Sequence, residues 1–94
     1  MIAGLAVNRT DRYLSDLQAV YDHIEHDNAD AAMAMLLLID DQVDSLRDPN
    51  FPRRRGRQPG TLELVAHPNY VVVIAQTKTA VTALAIMHVA RQYP

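Results

Sequence analysis

Apolar residues recur along the first half of the chain at spacings of three and four. Leu14, Leu17, Val20, Tyr21 and Ile24 fall on one face of an amphipathic helix of about four turns. Thr10 or Asn8 can cap it, and Asp11 in its first turn complements the helix dipole. His26-Asp27-Asn28 breaks the pattern, and Asp27 or Asn28 can cap a second helix. There Ala32, Leu36, Ile39, Val43 and Leu46 alternate by four and three, a narrow apolar seam, while Asp30, Asp40, Asp41 and Asp44 stud the other face. The connection is only a few residues long, so the two helices form an antiparallel hairpin. The seam is first a core stripe, and its near-heptad spacing also allows a dimer or a partner helix.

The second half changes period. Arg47-Asp48-Pro49-Asn50-Phe51-Pro52 ends the helix, since proline lacks the backbone donor and biases the residue before it away from helical angles. An arginine-rich loop follows, Arg53-Arg54-Arg55-Gly56-Arg57-Gln58-Pro59-Gly60. Three β-type segments then run over 62–66, 70–75 and 80–89, joined by short turns at His67-Pro68-Asn69 and Thr77-Lys78-Thr79. The segment 70–75 is apolar on both faces, as a central strand covered twice must be, with its two neighbours pairing on either side as edges. A short first strand is expected over 2–7. The expected fold is α+β: a short N-terminal strand and an αα-hairpin packed on one face of a mainly antiparallel sheet that ends in a three-stranded meander.

Ninety-four residues fit one domain, 1–94, and an apolar fraction of 49% supplies a core built almost without large aromatics, with one Phe and no Trp. The absence of cysteine rules out a disulfide framework and thiolate metal ligands, and points to a reducing, cytoplasmic setting. The opening Met1-Ile2-Ala3-Gly4-Leu5-Ala6-Val7 is too short and lacks the basic flank of a secretory leader, and no run is long enough to span a membrane. The net charge of −2 hides an asymmetry. Residues 1–48 hold ten of the eleven acids against Arg9, Arg12 and Arg47, a net −7. Residues 49–94 hold Arg53, Arg54, Arg55, Arg57, Lys78 and Arg91 against Glu63, a net +5. A field of this shape favours an acidic partner or a nucleic acid at the basic end.

Several pieces in this order resemble the RelE/ParE toxin superfamily: Asp16-Leu17 with Tyr21 and Ile24 after it, Asn28-Ala29-Asp30-Ala31-Ala32 opening the second helix, and Leu46 before the proline loop. Gly56-Arg57, Gly60-Thr61-Leu62-Glu63-Leu64 and Met87-His88-Val89-Ala90-Arg91 complete the series. The resemblance covers nearly the whole chain and is closer to the ParE, or plasmid-stabilisation, branch. It implies the toxin of a type II toxin–antitoxin system, neutralised by a cognate ParD-like antitoxin and acting by binding DNA gyrase, with no cofactor and no metal. A larger toxin–antitoxin oligomer is compatible with it. Arg53, Arg54, Arg55, Arg57 and Arg91 then become the candidate target- and antitoxin-binding residues, because the planar guanidinium fork pairs bidentately with carboxylates or phosphates.

The alternative within the superfamily is a RelE-like, ribosome-dependent mRNA endonuclease. That chemistry needs a base for the 2′-hydroxyl, a cation for the phosphorane and a donor to the leaving oxygen, for which Glu63, His88 and Arg91 are the candidates, with Tyr93 beside them. A further alternative is a non-toxic remnant that still binds antitoxin. The family often has arginine where this chain has Leu62, tyrosine where it has Ile74, and arginine or lysine where it has Ala85. On this reading apolar residues replace polar ones on the functional surface.

Other features rank lower. His23 and His26 share a helix face, but no further ligand stands at a metal-binding spacing. Tyr13 and Tyr21 read as packing residues with hydroxyls reaching solvent. The arginine run lacks the interleaved aromatics of single-strand binders, so direct nucleic-acid binding is not expected.

Overall fold

Thr10 and Asn28 start the two helices of the computed structural model, which describes residues 4–89. The Thr10 hydroxyl oxygen accepts the Tyr13 N–H at 3.0 Å, and Asn28 Oδ1 accepts that of Ala31 at 3.0 Å. Helix α1 spans Asp11–Glu25 and α2 spans Ala29–Ser45. Before them lies strand β1, Ala6–Arg9; after them come β2 (Arg54–Arg55), β3 (Leu62–His67), β4 (Tyr70–Gln76) and β5 (Ala80–His88).

The five strands form one mixed sheet in the order β1-β5-β4-β3-β2. β1 runs parallel to β5, with Ala6 opposite Ala80 and Arg9 opposite Ala83, and the remaining pairs are antiparallel. The apolar β4 is central, as its composition requires. Its neighbours are not edges, however, because β1 covers one and the two-residue β2 covers part of the other. β1 itself starts at Ala6, later than residue 2, where the sequence places it. Its start is set by the hydrogen bonds of Leu5 N–H to Arg47 O (2.8 Å) and Ala6 N–H to Thr79 O (2.9 Å). Polar Asn8 and Arg9 complete it, and positions 2 and 3 lie outside the described residues.

Both helices pack on one face of the sheet. Tyr13, Leu17 and Val20 of α1, Ile39 and Val43 of α2 and Leu46 at its C-terminal cap bury against Leu64, Val72, Ile74, Val81, Ala83 and Ile86. Most of these are wholly enclosed, the larger aliphatic side chains contributing about 1.5–3 kcal/mol each of apolar burial. The expected seam of α2 is this inner stripe, with Leu36 half-buried at its margin.

A polar knot ties the layers together. Asp40 Oδ1 accepts from the Tyr13 hydroxyl (2.9 Å) and from Arg9 Nε (2.9 Å), and Arg9 Nη2 reaches Asp44 at 2.7 Å. Tyr13 is therefore fully buried with its hydroxyl on a carboxylate, not reaching solvent as its sequence context suggests. Burial, followed by Asp40, raises the phenol above its ordinary pKa. Burial opposes the charge on Arg9, but Asp44 and Asp40 outweigh it and raise the guanidinium further.

β1 stops at Arg9, and α1 takes over the exposed edge of β5. Thr10 N–H donates to Ala83 O and the Thr10 hydroxyl to Leu84 O, while Asp16 Oδ2 accepts the Ile86 N–H at 2.9 Å. Leu84 is the extra residue of a β-bulge, since Val73 faces Ala85 but Ile74 faces Ala83. No helix among the described residues is long and apolar enough to cross a membrane.

Candidate functional site

The four arginines of the loop divide into two roles. Arg53 is built into the scaffold: Nη2 donates to Leu46 O (3.3 Å) and Asp48 O (2.6 Å), Nε to Phe51 O (2.9 Å), and Nη1 to Gln76 Oε1 (2.7 Å). It satisfies carbonyls left open after α2 and fastens them to β4. Burial lowers its pKa, with Asp48 opposing that shift. Arg54 pairs through Nε with Glu63 Oε1 at 3.1 Å, and Glu63 Oε2 accepts the Arg57 backbone N–H at 3.3 Å. Arg55 is exposed, and among the described residues its side chain has no hydrogen-bond or ion-pair partner.

The loop between β2 and β3 is held tightly. Gly56 N–H donates to Thr61 O (2.9 Å), Thr61 N–H to Gln58 O (3.1 Å), and the Thr61 hydroxyl to the same carbonyl (2.7 Å). A Cβ on Gly56 would stand 2.3 Å from Thr61 Oγ1, so only glycine fits, and Gly60 turns the chain at φ +81°. Beside this hairpin lies an open groove of about 620 Å³ lined by Arg55, Gly56, Arg57, Gln58, Pro59, Gly60, Thr61, Leu62 and Gln76. Glu63, read from sequence as an acid–base candidate, is here the buried anchor of the arginine hairpin. Gln76 is a groove residue that sequence reasoning missed. A lone polar residue at the end of an apolar run carries no signal of its own.

Of the residues expected for RNA cleavage, the described residues include Glu63 and His88, and the sheet does not bring these two together. Leu64 and Ile86 lie in the core beneath the helices; Glu63, next to Leu64, faces the other way, and His88, two residues beyond Ile86, faces the helices. Glu63 and His88 therefore stand on opposite faces of the sheet. His88 meets Tyr70 edge-on with ring centroids 4.8 Å apart, beside a cavity of about 240 Å³ that Arg12, Asp16 and His23 also line. Arg91 and Tyr93 lie outside the described residues.

Two of the three departures from the family pattern also change meaning. Leu62 and Ile74 are cross-strand partners on the helix side; Ile74 is wholly buried and Leu62 packs against the same core. They are core residues, not apolar replacements on a functional surface. Ala85 does stand on the helix-free face, opposite Val73. Among the described residues no group of three or more His, Asp or Glu could hold a metal ion.

The sequence model of the ParE toxin of the type II toxin–antitoxin system parDE matches residues 7–93. No curated protein matches the chain. Among solved structures, the chromosomal ParDE toxin–antitoxin system from P. aeruginosa superposes with a TM-score of 0.79 at 20% identity, over 89% of this chain and 95% of that one. The DinJ–YafQ toxin–antitoxin complex of E. coli gives 0.64 at 12% identity, over 97% and 99%. The YoeB dimer from Staphylococcus aureus gives 0.57 at 12%, over 92% and 98%. At these identities the structures share the fold: two helices on a five-stranded mixed sheet.

Proposed function

The chain belongs to the ParE toxin family of type II toxin–antitoxin systems, and on that premise we propose that it acts in the cytoplasm by binding and poisoning DNA gyrase, silenced by a cognate ParD-like antitoxin. The observation that carries the reading is the rigid arginine hairpin at the edge of the sheet, an exposed cationic surface suited to a macromolecular contact. Arg54, Arg55 and Arg57 present it, Arg53 holds it in place, and Arg91 is the remaining candidate on the chain. Binding is favoured over cleavage because Glu63 and His88 are separated by the thickness of the sheet, where acid–base catalysis needs both groups within reach of one phosphodiester.

The test has two stages. Expression is induced in a bacterium with and without the antitoxin, and purified chain is then added to a gyrase supercoiling assay. Growth arrest relieved by the antitoxin, with loss of supercoiling, is the expected result. Arrest with intact supercoiling and cleaved messages would overturn it in favour of a RelE-like mRNA endonuclease using Glu63, His88 and Arg91. Absence of arrest, with tight antitoxin binding, would identify a non-toxic remnant.

A further inference from the structure

We infer that the cavity between α1 and the His88 end of β5 is a binding site for the phosphate group of a small phosphomonoester. It lies on the helix side of the sheet at the Tyr70 end of β4, whereas the arginine hairpin adjoins Gln76 at the other end. The site is independent of the toxin reading. Helix periodicity supplies one wall. Arg12, Asp16, Ala19 and His23 are spaced by four, three and four, so one face of α1 carries a guanidinium and an imidazole over the sheet. Arg12 is exposed at the rim. Its Nε pairs with Asp16 at 3.1 Å, and its Nη1 and Nη2 have no partner among the described residues. Asp16, the one acid in the wall, is engaged in the fold, since its Oδ2 also accepts the Ile86 N–H at 2.9 Å.

The sheet supplies the second donor. Tyr70 is only 4% exposed, yet its hydroxyl has no hydrogen-bond partner among the described residues. Buried phenols ordinarily find one. Tyr70 lines the cavity, and His67 and His88 flank its ring with centroids 5.9 and 4.8 Å away, which holds the phenol in place before any ligand arrives. An open guanidinium edge on the helix wall and a phenol O–H on the sheet wall select a charged acceptor. Its oxygens must point in different directions. The tetrahedral oxygens of a phosphate do so, while a carboxylate offers two in one plane. At about 240 Å³ the cavity is smaller than the roughly 300–1,000 Å³ typical of drug-sized ligands. The organic part is therefore small, and Ala19, Val20 and Ile86 offer it apolar contact.

The experiment titrates the isotope-labelled full chain with glycerol phosphate, inorganic phosphate and acetate at matched ionic strength and pH, and follows the backbone amide shifts. Saturable shifts centred on Ala19, Tyr70 and Ile86 are expected, with glycerol phosphate binding more tightly than inorganic phosphate and acetate failing to saturate. Tyr70→Phe, which keeps the ring, should weaken binding about fivefold. Arg12→Gln should weaken it about tenfold or more, with Arg12→Lys between that variant and wild type. Arg55→Gln, the same charge change at the arginine hairpin, should alter it by less than about twofold. Thermal melts confirm that the variants fold, and if Tyr70→Phe does not, the Arg12 series decides. Absence of saturation, equal binding of acetate, unchanged affinity in Tyr70→Phe, or a loss in Arg55→Gln as large as that in Arg12→Gln would each overturn the proposal. Inorganic phosphate binding as tightly as glycerol phosphate would overturn the assignment to a phosphomonoester.

Discussion

Glu63 and Arg54 face each other across the short β2–β3 ladder, Oε1 to Nε 3.1 Å, with the carboxylate side chain 4% exposed and the guanidinium 56%. This asymmetry makes the acid the structural member of the pair and leaves the arginine partly available to a ligand. Because Arg54 is largely solvated, the ion pair itself contributes little; the enclosed carboxylate and the Arg57 N–H it satisfies matter more. Glu63→Ala is expected to cost about 1–3 kcal/mol and Glu63→Gln, which keeps an acceptor, about half as much. Urea titration of the two variants decides it, and equal stability of Glu63→Ala and wild type would refute the anchoring role.

Arg53 and Arg55, two residues apart, should respond in opposite ways to mutation. Arg53→Ala removes four hydrogen bonds at the end of α2 and is expected to lose about 2 kcal/mol, with lysine restoring only part, since it lacks the fork. Arg55→Ala should stay within about 0.5 kcal/mol of wild type. Denaturation midpoints of the pair provide the check. A stability loss at Arg55 as large as that at Arg53 would contradict the division of roles.

Tyr13 predicts an alkaline limb in stability. Its phenol, raised first by burial and then by Asp40, stays protonated in the fold while the unfolded chain ionises near pH 10. The unfolded state then binds fewer protons than the native one, so this contribution is complete below about pH 10 and is lost as pH climbs toward the folded value. Tyr13→Phe should cost about 1 kcal/mol at neutral pH and flatten the decline at high pH. Unfolding curves between about pH 8 and 11 test this, and parallel declines in the two proteins would argue against it.

The two loop glycines should differ in kind. Gly56→Ala drives a Cβ to 2.3 Å from Thr61 Oγ1 and 2.9 Å from Thr61 O, so the hairpin must open, at a cost of about 2 kcal/mol. Gly60→Ala meets open space and carries only the strain of a positive φ, about 1 kcal/mol. Amide exchange at Gly56 and Thr61 should accelerate in the first variant and change little in the second. The reverse order would show that the loop is not held by this close approach.

Local chemistry was enough to read much of this fold. The three- and four-residue spacings, the capping Thr10 and Asn28, the proline stop and the doubly apolar 70–75 run give both helices, the hairpin and a central β4, because each depends on neighbours within one or two turns. The separation of charge between the two halves is likewise a property of the chain itself. The late start of β1, the two-residue β2 and the faces of the strands depend on contacts between distant segments. Alternation along β5 places Val81 and Ala83 under the helices, and without the bulge at Leu84 it would put His88 on the opposite face. One inserted residue reverses that parity, and a bulge of this kind is set by the register against β4. The same kind of long-range pairing makes Leu62 and Ile74 core residues and Glu63 the anchor of an arginine hairpin. Local sequence thus determined the elements and the supply of charge, and tertiary register decided which side of the sheet each functional candidate would face.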